Sequence, residues 1–448
     1  MSSLNRSVAL IILCIAFIVS CKKEIAKPAV VHKKEFVYTS QEIVVAIQEG
    51  DLQKVKQYID KGGDPNARCK GYTRGSIEEG EENISDQDWT LLMYAVFHNK
   101  LEIGKFLLSK KADVNAVNAV GHSALFLACA HNHEEMALLL LENGANVNLG
   151  KDDSGTNTLQ WALAYDLNDL SLKLIEKGAN LNAFSTDTGR SVLLEALYSD
   201  SIKPAVVNRI IDLGADVLFI NPKYKETSLM LACRKNDTVA VKKIIKKGAD
   251  VNFESESGNT ALGDAAGNDF QDDSLLRYLV DKGAKVNSKN VPLIDAVYSK
   301  SLEKVKFLIE KGADVNKKRA INGLSPLFEA GFNANYEMAA YLIDNGADVN
   351  IENFDGQSVL YRSLTSFNGS YEVIKLLIDK GANVNFINND KSTALMKAAQ
   401  YNLPEVVALL LDNGARKEGI DFYGKTAKIY AQESAERTGD KTIMKFFQ

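Results

Sequence analysis

The chain has 448 residues, 46% hydrophobic and 25% charged, with a formal net charge of −5 at pH 7. Acids and bases alternate along it, which excludes the basic stripe that nucleic-acid binding requires.

Met1 to Ser20 carries one basic residue, Arg6, and then the apolar run Val8 to Val19. Twelve apolar residues are too few to cross a bilayer, which takes about 20, so the pattern is a secretory signal. Ile18-Val19-Ser20-Cys21 resembles the bacterial lipobox, whose cysteine becomes the lipidated first residue after cleavage. The resemblance implies export, with a lipid anchor on Cys21 holding the protein to the membrane of the bacterial cell envelope. An ordinary signal peptide and an uncleaved anchor are the alternatives. Several acyl chains make such anchoring stable where one is marginal. Lys22-Lys23-Glu24 follows, with no aspartate behind the cysteine; by the same resemblance, a source with two membranes would carry the protein on its outer one. Residues 21–39 read as the lipidated N-terminus and an extended tether, rich in lysine, that reaches at most ~60 Å.

From Ser40 to Gln448 one unit recurs. Its clearest copy is Gly121 to Asn148: a cap at Ser123, a short helix through Leu125, Ala128 and Cys129, a turn at Asn132, a second helix through Met136 to Leu141, and a stop at Gly144. Neither helix buries its apolar face alone, so the unit is one layer of a stack. The first-helix alanine returns at Ala46, Ala95, Ala128, Ala162, Ala196, Ala232, Ala265, Ala296, Ala330, Ala398 and Ala431, with Ser363 in one copy. The stop follows sixteen residues later, with Lys111 the one non-glycine, but eighteen later at Gly214, Gly283 and Gly381. Tails such as Ala249-Asp250-Val251-Asn252 and starts such as Ser325-Pro326-Leu327-Phe328-Glu329-Ala330 resemble the ankyrin repeat. The resemblance implies an all-α ankyrin-repeat solenoid of about twelve repeats over residues 40–448, with helix-turn-helix layers joined by hairpin-like loops.

Gln41, Glu42, Gln48, Lys54 and Lys56 give the first repeat the polar outer face of an end cap. Cys69 to Asp88 is an acidic insertion with no calcium-loop pattern, expected to be a disordered loop. The connection at Asn287 to Val291 is about four residues short, so that unit should lack its projecting hairpin. Thr426 to Gln448 closes the array with a polar helix and an apolar last turn. Of the five cysteines, Cys14 leaves with the signal and Cys21 carries lipid, while Cys129 and Cys233 hold equivalent core positions three repeats apart. No internal disulfide is expected.

No catalytic site is expected, and no cofactor. Gly419 to Thr426 matches the P-loop letters, but a P-loop follows a buried strand, whereas this stretch follows a helix end. The same residues are what the ankyrin hairpin gives in this register, so no nucleotide is expected. His98 and His131 hold the same position in adjacent layers, about 10 Å apart, whereas zinc needs imidazole nitrogens within about 2.1 Å of one ion and usually a third ligand; His133 matches the ankyrin histidine that makes structural hydrogen bonds. No metal is expected.

The ankyrin resemblance implies a protein-binding surface on the exposed face of the first helices and at the hairpin tips. The exposed positions hold Phe97, His98, His131, Tyr165, Tyr198, Arg234, Lys235, Tyr298, Phe332 and Tyr401. Aromatics are enriched at interface hot spots, while the competing reading packs them on neighbouring hairpins. Tyr165 with Tyr198, and Tyr298 with Phe332, form two apolar spots, with Arg234, Lys235 and Gly267 between them. The expectation is a monomer that binds an unidentified protein partner. The competing classes are a regulatory subunit of an envelope enzyme and a structural or adhesive surface lipoprotein.

Overall fold

The computed structural model describes residues 40–69, 88–270, 272–364 and 370–448. The signal segment, Cys21, the tether and the centre of the acidic insertion lie outside the described residues.

Helices alternate strictly between a first and a second member of each layer. The first four pairs are α1 (Ser40–Glu49) with α2 (Leu52–Asp60), α3 (Leu91–Phe97) with α4 (Leu101–Ser109), α5 (Ala124–Ala130) with α6 (Glu134–Glu142), and α7 (Thr158–Ala164) with α8 (Asn168–Glu176). The next four are α9 (Val192–Tyr198) with α10 (Pro204–Asp212), α11 (Ser228–Arg234) with α12 (Thr238–Lys246), α13 (Ala261–Gly267) with α14 (Ser274–Asp281), and α15 (Pro292–Tyr298) with α16 (Leu302–Glu310). Then come α17 (Pro326–Phe332) with α18 (Tyr336–Asp344), α19 (Val359–Ser363) with α20 (Tyr371–Asp379), and α21 (Ala394–Gln400) with α22 (Pro404–Asp412). The last layer is α23 (Ala427–Thr438) closed by a 3₁₀ turn, Thr442–Phe447. Among the described residues no helix is long and apolar enough to cross a membrane.

Each layer is written in local chemistry. A hydroxyl before the first helix accepts the N–H three residues on, as Thr90 does from Met93 at 3.2 Å and Ser123 from Phe126 at 3.1 Å. Such a cap contributes about 1 kcal/mol. The repeat alanine is wholly buried in most layers, Ala128, Ala162, Ala232 and Ala330 among them, because only a methyl lets neighbouring first helices approach so closely. After the helix a residue with positive φ, such as Asn132 at +57°, reverses the chain. The next amide then bonds back to the alanine carbonyl, as His133 N–H does to Ala128 O at 2.8 Å and Asp237 N–H to Ala232 O at 3.0 Å. The second helix stops in left-handed backbone, at Gly144 with φ +84°. Lys111 adopts φ +64° in the one layer without that glycine.

The asparagine of the stereotyped tail clamps its layer to the next. Asn252 Nδ2 donates to Gly283 O at 2.9 Å, and its Oδ1 accepts from Lys285 N–H at 2.8 Å. Asn115, Asn148, Asn287, Asn316, Asn350 and Asn385 make the same pair of bonds. Asn66 and Asn182 make only the bond from the following layer, to Asp113 N–H and Asp216 N–H, while Leu218 stands at the asparagine position of the layer α9–α10, makes neither, and is 54% exposed.

Two layers depart from the plan. The acidic insertion begins and ends in a two-residue antiparallel ladder, β1 (Arg68–Cys69) with β2 (Trp89–Thr90). There Cys69 is buried and Arg68 donates to Asp88 and to Val117 O. At the short connection, Val291 takes φ +55° directly before Pro292 opens α15. No hairpin bridge forms there, whereas Phe184 pairs with Ser191 and Ile220 with Thr227 in ordinary layers.

Candidate functional site

The eighteen-residue spacings shape the surface. α9 and α13 end in extended backbone, at Ser199 (φ −78°, ψ 132°) and Asn268 (φ −71°, ψ 155°), instead of the helical turn that closes α11 at Lys235. The chain therefore runs on from Ser199 to Lys203 before α10 and past Asn268 through Asp269 and Phe270 before α14, against Lys235 to Asp237 after α11. The longer turns become two walls, with the short turn between them as floor. They enclose a groove of about 800 Å³, with Tyr198, Asp200 and Ile202 on one side, Asp269 and Phe270 on the other, and Arg234, Lys235 and Asp237 beneath.

At α13 the longer turn forfeits the amide that caps the alanine carbonyl, and a side chain replaces it. The fully buried Lys304 of α16 donates through Nζ to Ala265 O and Ala266 O at 3.3 Å, and to Asn268 O and Oδ1 at 2.8 Å. Burial pushes this ammonium down to about 8, against the pull of Asp269, Asp273 and Asp272. Asn268 Nδ2 in turn donates to Cys233 O at 3.1 Å. On the other wall Lys235 Nζ bonds to Ser199 O and faces Asp200 at 3.7 Å.

A second depression of about 250 Å³ opens from the same floor, lined by Arg234, Asp264, Gly267, Asn268, Asp295 and Tyr298 among others. α13 and α15 approach closely because of two glycines. A Cβ on Gly263 would stand 3.0 Å from Asp295 Oδ2, and one on Gly267 3.3 Å from Asp295 Cβ. Arg234 Nε donates to Asp264 Oδ1 at 3.0 Å, and its terminal nitrogens lie 3.4 Å from Glu226. Arg319 pairs with Asp295 Oδ1. The second carboxylate oxygen of each aspartate is buried and has no hydrogen-bond partner. Burial raises Asp264 to about 6 against the pull of Arg234. It raises Asp295 to about 7, with Arg319 opposing and the charges of Asp264 and Glu329 reinforcing. Across both depressions the lining carboxylates are Asp200, Asp237, Asp264, Asp269 and Asp295, against Arg234 and Lys235.

Of the residues singled out in the sequence, the structure brings Tyr198, Arg234, Lys235 and Tyr298 to these two depressions. Tyr198 is 50% and Tyr298 67% exposed, and the Arg190 guanidinium lies 3.3 Å from the Tyr198 ring centre. Arg234 and Lys235 are committed to carboxylates of the protein itself, so the floor between the aromatic spots is acidic on balance. Tyr165, Phe332 and Tyr401 lie outside the depressions. Tyr165 donates its hydroxyl to Ala130 O at 3.2 Å, and the rings of Phe332 and Tyr401 lie under Arg362 and Lys397. Phe97, His98 and His131 form a separate cluster, with the Phe97 ring edge-on to both imidazoles at 5.1 and 4.7 Å. His133 Nδ1 bonds to Val96 O at 2.9 Å. In the P-loop-like stretch, Asp421 Oδ1 accepts from Tyr423 and Lys425 N–H, and Lys425 Nζ is taken up by Glu433.

Asp264, Asp295, Lys304 and Phe270 were not read as site residues. One signal was present: three successive layers carry an acid just before the repeat alanine, at Asp264, Asp295 and Glu329.

Comparison with known proteins agrees with this geometry. The family description "Ankyrin repeats (3 copies)" matches residues 43–151, 92–187, 193–290, 293–388 and 363–447. The human palmitoyltransferase ZDHHC13 is 29% identical over 248 residues, 55% of this chain and 36% of the human protein. The putative palmitoyltransferase ZDHHC13 of Danio rerio is 24% identical over 225 residues, 50% of this chain and 32% of that protein. A putative ankyrin repeat protein of Rickettsia felis is 31% identical over 115 residues, 24% of this chain and 43% of its own length. The chain thus spans about a third of the palmitoyltransferases it matches, and the likeness lies in the ankyrin region. With stacked two-helix layers through the described residues and the family description matching most of the chain, the chain belongs to the ankyrin-repeat family.

Proposed function

We propose that this chain is a non-catalytic, monomeric binding protein, held at a bacterial envelope membrane through a lipidated Cys21, that captures a protein partner on the face carrying the first-helix ends. The observation that carries the reading is the pair of joined depressions at the layers α9–α10 to α15–α16, edged by the exposed rings of Tyr198, Phe270 and Tyr298. Rigid aromatics beside an open groove supply large contact area at small entropic cost. The anchor rests on the Ile18-Val19-Ser20-Cys21 junction behind its short apolar run.

The test is crosslinking in intact envelopes with the full chain, comparing wild type with Tyr198→Ala and Tyr298→Ala, each checked for melting temperature. Removing a hot-spot aromatic costs at least about 2 kcal/mol, more than tenfold in affinity. Loss of one stoichiometric crosslinked partner at unchanged melting temperature supports the reading. Unchanged capture by both variants overturns it. Cys21→Ala tests the anchor separately: the protein should move to the soluble envelope fraction, and a variant that stays membrane-bound refutes lipidation there.

A further inference from the structure

We propose that the partner segment taken by this groove is a peptide with an arginine between apolar residues, its guanidinium seated between Asp264 and Asp295 and its apolar side chains against Tyr198, Ile202 and Phe270. The inference rests on the binding face proposed above and adds the chemistry of the ligand.

Charge complementarity carries it. The two cations of the lining are already neutralised, Arg234 by Asp264 and Glu226 and Lys235 by Asp200. No lining cation is left to recruit an acidic ligand, whereas the lining carboxylates Asp200, Asp237, Asp264, Asp269 and Asp295 outnumber Arg234, Lys235 and the Arg319 that pairs with Asp295. Asp264 and Asp295 each spend one oxygen on a single arginine and leave the other buried and unpartnered. Their side chains keep 12% and 17% of their surface open. A planar guanidinium brings five donors and matches carboxylate geometry better than an ammonium does. Tyr298, 67% exposed at the edge of the pocket, offers a ring face for that cation. The apolar stretch of the groove beside it matches flanking hydrophobic side chains.

Proton linkage adds a signature. Asp264 faces Arg234 and Glu226, and Asp295 faces Arg319, Asp264 and Glu329. Burial raises both aspartates towards neutrality. A bound cation favours the ionised carboxylates, so affinity rises as pH increases through the range from about 6 to about 7.

The probe is a fluorescein-labelled nonapeptide with one central arginine flanked by leucine and phenylalanine, titrated by anisotropy against the full chain. Its twins carry citrulline, of the same shape without charge, or glutamate at the centre. The arginine peptide should saturate, bind at least ~10-fold tighter than the citrulline twin, and weaken on going from pH 7.5 to 5.5. Asp295→Asn should erase the preference for arginine over citrulline, while Phe270→Ala weakens both peptides alike. Should Asp295→Asn lower the melting temperature, Asp264→Asn is read in its place. Equal binding of the arginine and citrulline peptides, a preference for glutamate, no saturation, or an aspartate variant that folds and keeps the preference would each overturn the proposal. If the peptides are not distinguished but Tyr198→Ala still abolishes crosslinking, the binding face stands and only its cationic ligand fails.

Discussion

Leu218 offers the sharpest test of how these layers are held together. It occupies the tail position where Asn182 of the preceding layer bonds to Asp216 N–H at 2.9 Å and Asn252 of the following layer makes both clamp bonds. Leu218→Asn should install the missing clamp, Nδ2–H to Gly248 O and Asp250 N–H to Oδ1. Two hydrogen bonds at about 0.5–1.5 kcal/mol each amount to about 1–3 kcal/mol. The leucine is 54% exposed, so losing its buried half offsets about 1 kcal/mol of that. The net expectation is a gain of about 1 kcal/mol, local to one junction because a solenoid's stability is a sum over neighbouring interfaces. The reverse changes, Asn252→Ala and Asn316→Ala, should each cost about 1–3 kcal/mol. Urea unfolding gives the stabilities, and amide exchange at Asp250 reports the new bond. If Leu218→Asn neither slows exchange at Asp250 nor raises the unfolding midpoint, while Asn252→Ala behaves as an ordinary surface substitution, the clamp is not what binds the layers.

Lys304→Met should change how stability depends on alkali. Folding depresses this lysine to about 8, so its penalty is present at neutral pH and relieved as pH rises from about 8 towards the ordinary lysine value of about 10.5. Wild type should gain stability over that window relative to the methionine variant; parallel curves would show that the ammonium is not perturbed. Asp264 and Asp295 act with the opposite sign. Their folded values of about 6 and about 7 lie above the unfolded one, so their contribution is complete below about pH 4 and lost as pH rises through 7. The double variant Asp264→Asn with Asp295→Asn should flatten that slope in urea titrations at successive pH values, and an unchanged slope would return both groups to ordinary aspartates. ATP should not stabilise the chain through Lys425, whose ammonium is held by Glu433 at 2.7 Å; a saturable thermal shift absent in Lys425→Ala would refute this.

What the sequence determined by itself is the layer and its repetition. The caps at Thr90 and Ser123, the turn at Asn132, the stop at Gly144 and the buried Ala128 each answer to neighbours a few residues away, so their signals lie in short windows and recur in phase. The two anomalies of spacing were legible for the same reason: an eighteen-residue interval announces a longer turn, and a short connection announces a missing hairpin. The tertiary structure alone decided what those turns build. Nothing in the sequence singles out Lys304, yet it is buried where Ala265 and Ala266, 39 and 38 residues earlier, have lost the amide that serves their counterparts elsewhere. Arg234 reads as a free surface cation, and is taken instead by Asp264, 30 residues on. Asp295 is buried, and its proton affinity raised, where Gly263 and Gly267 let α13 close against it. These contacts pair residues of different layers at distances set by how the layers stack, and a pattern that repeats every layer cannot carry information about the one place where two unlike layers meet.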